Sequence, residues 1–263
     1  MKNVLLYGGG TQSTGLLLMM LDGHIDGYSR PDMAVFSDTM SEPGFVNDYI
    51  KAVSDYVLNK YDFVIDIVSR GNLEYDILHK MNKERVASLP LFVGNGGMIR
   101  RQCTNEYKIV PINKLIKSTF DIKRKKKDST AVINRIFGIS LDEIERTRVS
   151  GDWWADNKYP LVEARMYRHE VIDYINNNHP EIKNPPRSSC YFCPFHSDNY
   201  WRALKENHRG EFDKAVVIDE ALRDQDRLKN KAYVHRSLKP LGDIDFTKTQ
   251  GEIFGECEGY CGI

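Results

Sequence analysis

Two groups of residues have types and spacing suited to chemistry. The first is Gly8-Gly9-Gly10-Thr11-Gln12-Ser13, which directly follows the apolar run Asn3-Val4-Leu5-Leu6-Tyr7. Three glycines let a backbone approach phosphate oxygens closely. A helix starting there adds free N–H groups and the positive end of its dipole, and Ser13 adds a hydroxyl donor. The string is not a Walker A loop, because no Gly-Lys-Ser/Thr follows. Nor is it Gly-x-Gly-x-x-Gly, since Thr11, Gln12 and Ser13 come after Gly10. A plain strand-to-helix turn is the competing reading.

The second group is the cysteines. Cys190-Tyr191-Phe192-Cys193-Pro194-Phe195 has the two-residue spacer that brings two sulfurs onto one metal or one cluster. A buried structural pair or a redox dithiol uses the same spacing. Cys103, Cys257 and Cys261 make five in all. No apolar run nears the roughly 18 residues of a membrane span, and no signal-peptide pattern follows Met1-Lys2. The expected location is therefore the cytoplasm, where an odd number of thiols points to metal or thiol chemistry rather than disulfides. Zinc and an iron–sulfur cluster take the same thiolates, so spacing does not separate them.

Basic residues form a third class. Arg100, Arg101, Lys108, Arg146, Arg148 and Arg165 are candidates for converging on an anion, because guanidinium forks suit phosphate and sulfate. The run Lys123-Arg124-Lys125-Lys126-Lys127 reads as a solvated loop, with nucleic-acid contact as the minority reading. Ser140 followed by Glu143 has capping-box spacing, which predicts a helix start. His196, His208 and His235 lack partners at metal spacing.

Elements must hold these groups in place. The chain has 263 residues, 41% hydrophobic and 28% charged, with Lys+Arg and Asp+Glu equal at 37 each. That is an ordinary globular composition with no global field drawing it to nucleic acid or membrane. The pattern predicts strands at 3–7, 33–36 and 63–68, a Leu/Met-rich helix over 14–21 that stops at Gly23, and a helix spanning 46–57. Strand-helix alternation implies a doubly wound, mostly parallel α/β sheet that binds ligands at the carboxyl ends of its strands. Both the glycine turn and Asp38 lie there. Further along, the text predicts a helix over 105–120 broken at Pro111, strands at 132–139 and 158–162, and helices at 168–177 and 198–228. Residues 1–180 are expected to form the nucleotide-binding α/β domain, and 181–263 a helical, cysteine-bearing region.

The glycine turn resembles the PP-loop Ser-Gly-Gly-x-Asp-Ser of the ATP pyrophosphatases. Gly8 stands in place of the first serine and Gln12 in place of the aspartate, and the Gln variant looks like the phosphoadenosine-phosphosulfate reductase branch of that superfamily. Gly138-Ile139-Ser140-Leu141-Asp142-Glu143-Ile144-Glu145-Arg146 resembles its Gly-Ile-Ser-x-Asp-Glu-x-x-Arg segment. Arg100-Arg101-Gln102-Cys103-Thr104, ahead of Lys108 and Pro111, resembles Arg-Cys-Cys-x-x-x-Lys-x-x-Pro with one cysteine missing. Ser37-Asp38-Thr39, Tyr159-Pro160-Leu161 and the terminal Glu-x-x-Cys-Gly-Ile (Glu258 to Ile263) continue the match in order. Small stand-alone members of this superfamily are often phage-encoded.

The resemblance implies a five-stranded adenine nucleotide alpha-hydrolase-like sheet that takes ATP or a related adenine nucleotide, with Mg²⁺. It implies nucleotide contacts from Gly8, Gly9, Gly10, Thr11, Gln12, Ser13, Asp38, Arg101 and Lys108. Catalytic roles fall to Gln12, Ser13, Arg146 (with Arg148 as substitute) and Cys261. A 4Fe-4S cluster, or zinc as the alternative, falls to Cys103, Cys190 and Cys193, with Cys261 or else Cys257 as fourth ligand. A nucleic-acid substrate, a sulfur-donor protein and a homodimer are the partners compatible with it. Three activities follow from it. One is adenylylation of an acceptor with pyrophosphate release, followed by sulfur transfer; the second is reduction of an adenylyl sulfate by a C-terminal cysteine. The third, favoured by the missing aspartate, is nucleotide binding without turnover in a regulatory or defence role.

Overall fold

The computed structural model describes residues 1–81, 84–94, 97–123, 130–182, 185–223 and 230–248. Cys257, Cys261, the terminal Glu-x-x-Cys-Gly-Ile and most of the lysine run lie outside the described residues. In chain order the elements are β1 (Lys2–Leu6), α1 (Thr11–Asp22), β2 (Met33–Asp38), α2 (Gly44–Tyr61), β3 (Ile65–Ser69), α3 (Leu73–Lys80), β4 (Phe92–Val93) and β5 (Gly97–Met98). They continue with α4 (Val110–Thr119), β6 (Ile133–Phe137), β7 (Ala155–Lys158), α5 (Pro160–Glu163), α6 (Arg168–Asn178), α7 (Asp198–Asn207), α8 (Arg209–Arg223) and β8 (Ala232–Tyr233). Among the described residues, no helix is long and apolar enough to cross a membrane.

The chain divides into two compact units that interleave along the sequence. The first comprises Met1–Asp38, Gly44–Val68 and Ile109–Ser188; the second comprises Thr39–Pro43, Ser69–Lys108 and Ser189–Ile263.

The first unit is a three-layer α/β structure around a five-stranded, all-parallel sheet in the order β3-β2-β1-β6-β7. β1 sits at the centre, with Leu5 opposite Ala34 on one side and Ile136 on the other. Because side chains alternate along a strand, β1 feeds two cores. Leu5 and Tyr7 pack with α1, α2 and α6 residues such as Leu17, Val53 and Val171. Val4 and Leu6 pack on the opposite face with Ile112 and Ile116 of α4 and with Trp154. Gly15 lies inside α1 in spite of its poor helix propensity, because α6 closes on it there. A Cβ at Gly15 would fall 2.2 Å from Val171 Cγ1. Gly23 ends α1 in the left-handed conformation (φ 72°), and its N–H reaches Met19 O.

Three predicted boundaries move for physical reasons. The strand expected at 158–162 is β7, Ala155–Lys158, because Pro160 has no N–H for a ladder and instead starts the one-turn α5. Pro111 does not break its helix. A π-helical turn, Asn105–Ile109, leads into α4, and Pro111 falls in the first turn of α4, where a missing N–H costs nothing. Ser140 is extended and precedes a 3₁₀ turn, Leu141–Arg146, but its side chain does not cap that turn, so the expected capping box is absent.

The second unit is built around α8, which packs against α3 and α7. His208 (φ −137°, ψ 56°) separates α7 from α8 within the expected helical stretch. The fully buried Asp219 accepts from Val234 N (2.8 Å), Leu241 N (3.0 Å) and Arg223 Nη2 (2.5 Å), fixing the chain after β8 to α8. A small antiparallel sheet in the order β5-β4-β8 completes the unit. Its two-residue strands are too short to leave a period in the sequence.

Candidate nucleotide and cysteine sites

The glycine turn leaves the carboxyl end of the central strand, as the parallel-sheet rule requires of a ligand site. Gly9 is left-handed (φ 73°), the conformation that favours glycine, and a Cβ there would press on the Ile50 side chain at 2.9 Å. Gly10 is extended and begins α1, leaving the first N–H groups of the helix directed at the turn. The Ser13 hydroxyl serves the turn itself: Ser13 Oγ donates to Gly10 O (3.1 Å) and accepts from Gly10 N (3.3 Å). Thr11 and Ser13 are buried. A Cβ on Gly138 would meet Ser13 N at 2.6 Å and Gln12 C at 2.8 Å. The start of the Gly-Ile-Ser segment thus lies against the backbone of the glycine turn.

That packing brings two sequence motifs into one site. Gln12 Nε2 donates to Ser140 Oγ (3.3 Å) and to Glu143 Oε2 (3.1 Å). Glu143 Oε2 also pairs with Arg146 Nη1 at 2.5 Å. Glu143, predicted to serve a helix start, is therefore the contact between the turn and Arg146. Arg168, at the start of α6, is in electrostatic reach of Glu143, Asp142 and Arg187. Burial pushes the Arg168 guanidinium below its ordinary value, Arg187 pushes the same way, and the two carboxylates oppose. The 186–188 segment covers the turn: Pro186 O and Ser188 N lie 3.8 and 3.9 Å from a Cβ built on Gly10.

Arg168, Arg187 and Ser188 were not singled out from sequence, since nothing in their spacing ties them to residues 8–13. Arg148 turns back onto its own backbone, donating to Glu145 O (2.5 Å) and Thr147 O (2.7 Å). Arg165 is exposed with a left-handed backbone (φ 55°). Asp38 is half-buried at the carboxyl end of β2.

In the second unit, the three described cysteines are free thiols. Cys190 and Cys193 form a turn, with Cys193 N donating to Cys190 O at 3.0 Å. His196 Nε2 lies 2.9 Å from the same carbonyl. Cys103 N donates to Ser88 O (3.3 Å) just ahead of the π-helical turn. Glu106 of that turn pairs with Arg70 and Arg85, and Tyr107 donates to Asp76, which anchors the turn that carries Lys108.

Lys108 is in electrostatic reach of Cys103, Cys190 and Cys193, and its Nζ is 3.6 Å from the fully buried Glu42 carboxylate. Burial alone would lower the Lys108 pKa, but Glu42 and the thiols raise it above its ordinary value. Thr39 Oγ1 donates to Glu42 Oε2 (2.7 Å) and lies 3.2 Å from Cys190 Sγ. Burial pushes the Cys190 thiol far up, Glu42 adds to it, and Lys108 and Thr39 oppose. Burial also raises Cys103, against Arg101 and Lys108. The Arg101 guanidinium lies 5.7 Å from the Phe195 ring centroid.

Glu42 was missed from sequence. Its role depends on a fold that returns residues 39–43 to a thiol about 150 positions later (|i−j| is 151 for Thr39 and Cys190). Among the described residues, no three His, Cys, Asp or Glu side chains close on one point as a single ion requires.

No family model matches the sequence, and no curated protein matches it. Among solved structures, the chain is similar to the U34-tRNA thiolase NcsA from Methanococcus maripaludis with its 4Fe-4S cluster. The TM-score is 0.42 with 15% sequence identity, covering 87% of this chain and 74% of that one. The first unit is an α/β fold built on an all-parallel five-stranded sheet, with a glycine turn after its central strand.

Proposed function

We propose that this chain binds an adenine nucleotide by its phosphates on the Gly8–Ser13 turn, and that Cys103, Cys190 and Cys193 hold an iron–sulfur cluster used for sulfur transfer. The observation that carries the nucleotide reading is the turn itself. It joins a left-handed Gly9, an uncapped helix N-terminus and, through Gln12 and Glu143, an arginine cluster at one strand end. Cys103, Cys190 and Cys193, each in electrostatic reach of the Lys108 ammonium, fit the cluster by donor chemistry: thiolates are its protein ligands, and Lys108 would offset their negative charge. When bound, such a cluster supplies iron with an affinity for sulfur.

The turn's N–H groups would receive the phosphates of ATP, with Mg²⁺ and Arg146 spreading charge as the α–β bond breaks. An acceptor oxygen forms the new bond to the α-phosphorus and pyrophosphate leaves with the electron pair. A sulfide-level nucleophile from an external sulfur donor would then add to the activated carbon, forming the C–S bond as the C–O bond breaks and AMP leaves with the electron pair. A nucleobase in a nucleic acid is the acceptor class that fits this sequence of steps.

Incubation with labelled ATP, with and without RNA or DNA, tests the reaction. Pyrophosphate release that depends on nucleic acid is the expected result. Sulfite release from an adenylyl sulfate would replace the proposal with reduction, and binding without product would replace it with a non-catalytic role. Anaerobically purified protein should be brown with acid-labile sulfide; a colourless protein holding stoichiometric zinc would overturn the cluster.

A further inference from the structure

Among the described residues, the Glu143 carboxylate contacts the glycine-turn side chain Gln12, and the side chains that meet this carboxylate are donors. The Gln12 amide nitrogen (3.1 Å) and the Arg146 guanidinium (2.5 Å) converge on the same oxygen, Oε2. Arg168 adds positive charge from the start of α6. Gln12 must present its nitrogen here, since its amide oxygen would face a carboxylate acceptor to acceptor. Donors of this kind, convergent on one oxygen, suit an anion; a cation site needs oxygens pointing inward instead.

The element carrying Glu143 is irregular. Its 3₁₀ turn is interrupted at Glu143 itself (φ −119°, ψ 22°) and has no side-chain cap, because the Ser140 hydroxyl receives the Gln12 amide instead. Glu143 and Arg146 side chains keep 20% and 16% of their surface exposed, so solvent reaches the pair.

We propose that Gln12, Arg146 and Arg168 form an oxyanion site for a phosphoryl or sulfuryl group, and that the Glu143 carboxylate occupies this site until the ligand displaces it. The location of the site rests on the glycine turn being the phosphate-binding element. The proposal also accounts for glutamine at position 12. An aspartate there would face Glu143 at about hydrogen-bond distance and repel it, whereas an amide holds it in place.

The experiment is calorimetric titration of the full-length protein and its Glu143→Gln variant with Mg·ATP, pyrophosphate and sulfate, each at two salt concentrations. Displacing a charged hydrogen bond is the step the variant omits, so it should bind pyrophosphate about tenfold more tightly than the parent. It should also show the steeper loss of affinity with added salt. Arg146→Gln should shift affinity the opposite way. A gain confined to sulfate identifies a sulfuryl group as the natural occupant, and a gain for pyrophosphate and ATP identifies a phosphoryl group. Binding by the variant where the parent binds nothing also supports the proposal.

Equal or weaker binding by Glu143→Gln, with Mg·ATP still bound by the parent, overturns the oxyanion site and leaves the glycine-turn reading intact. No binding of any probe by either protein overturns both.

Discussion

Replacing Gly138 by alanine tests whether the Gly-Ile-Ser segment sets the geometry of the glycine turn. The added Cβ would sit 2.6 Å from Ser13 N, 2.7 Å from Ser13 Cα and 2.8 Å from Gln12 C. All three are backbone atoms, so no side-chain rotation relieves the contact. Ordinary contact begins near 3.4 Å, so the first turn of α1 or the end of β6 must give way by roughly 0.6–0.8 Å. Overpacking of this kind costs about 1–3 kcal/mol, or roughly 2–4 °C of Tm per kcal/mol in a chain of this size. The same displacement moves the N–H groups that are proposed to bind phosphate. Losing one charge-assisted hydrogen bond of about 1.5–3 kcal/mol weakens Mg·ATP binding roughly ten- to hundredfold. Chemical denaturation and calorimetric titration measure the two effects separately. Gly151→Ala is the control, since a Cβ there meets nothing within 4 Å. Unchanged Mg·ATP affinity in a destabilised Gly138→Ala would show that nucleotide is held elsewhere; no change in either quantity would refute the packing argument itself.

Cys190→Ser and Cys193→Ser should each lose bound iron, read by metal analysis after anaerobic purification; full iron content in both would remove these residues as ligands. Gly9→Val forces a branched residue into a left-handed turn facing Ile50 and should abolish nucleotide binding, so retained affinity would count against the turn. Asp219→Ala strands two backbone N–H groups and Arg223 and should cost about 3–5 kcal/mol in denaturation.

The first unit should also lose stability in mild acid. Burial holds His179 below its ordinary 6.5, with Lys60 adding to the effect and Asp22 opposing it. The unfolded chain therefore takes up a proton at His179 before the folded chain does. Stability falls as pH drops below 6.5 towards the folded value, by up to about 1.4 kcal/mol per pH unit. For Asp22, burial pushes the pKa up, but the Tyr174 and Tyr61 hydroxyls and His179 hold it below 3.8. Its contribution is present above 3.8 and is lost only as pH falls through its lowered folded value. His179→Gln should flatten the denaturation midpoint between pH 7 and 5; an unchanged slope would assign the loss to other groups.

Where a short-range rule governs, the sequence is readable. The glycine run after an apolar strand, the Gly23 stop of α1 and the strand-helix alternation each depend on neighbours a few residues apart, and each appears where the text places it. Local rules mislead where a distant group takes a residue away from its neighbours. Ser140 and Glu143 have capping-box spacing, yet Gln12, about 130 residues earlier, claims both side chains. Pro160 looks like the interior of a strand by hydrophobicity, but it cannot donate to the ladder.

The amino-acid text by itself determined that a parallel sheet carries a glycine turn after its first strand, and that Cys190 and Cys193 lie in one turn. Backbone freedom at glycine and a two-residue spacer are properties of the local chain. Only the tertiary structure decided that Glu143, rather than a residue of the turn, supplies the carboxylate beside Gln12, and that Lys108 and Glu42 stand among the cysteines. Those contacts join segments far apart in the chain, and their geometry follows from how strands and helices pack, which no local pattern encodes.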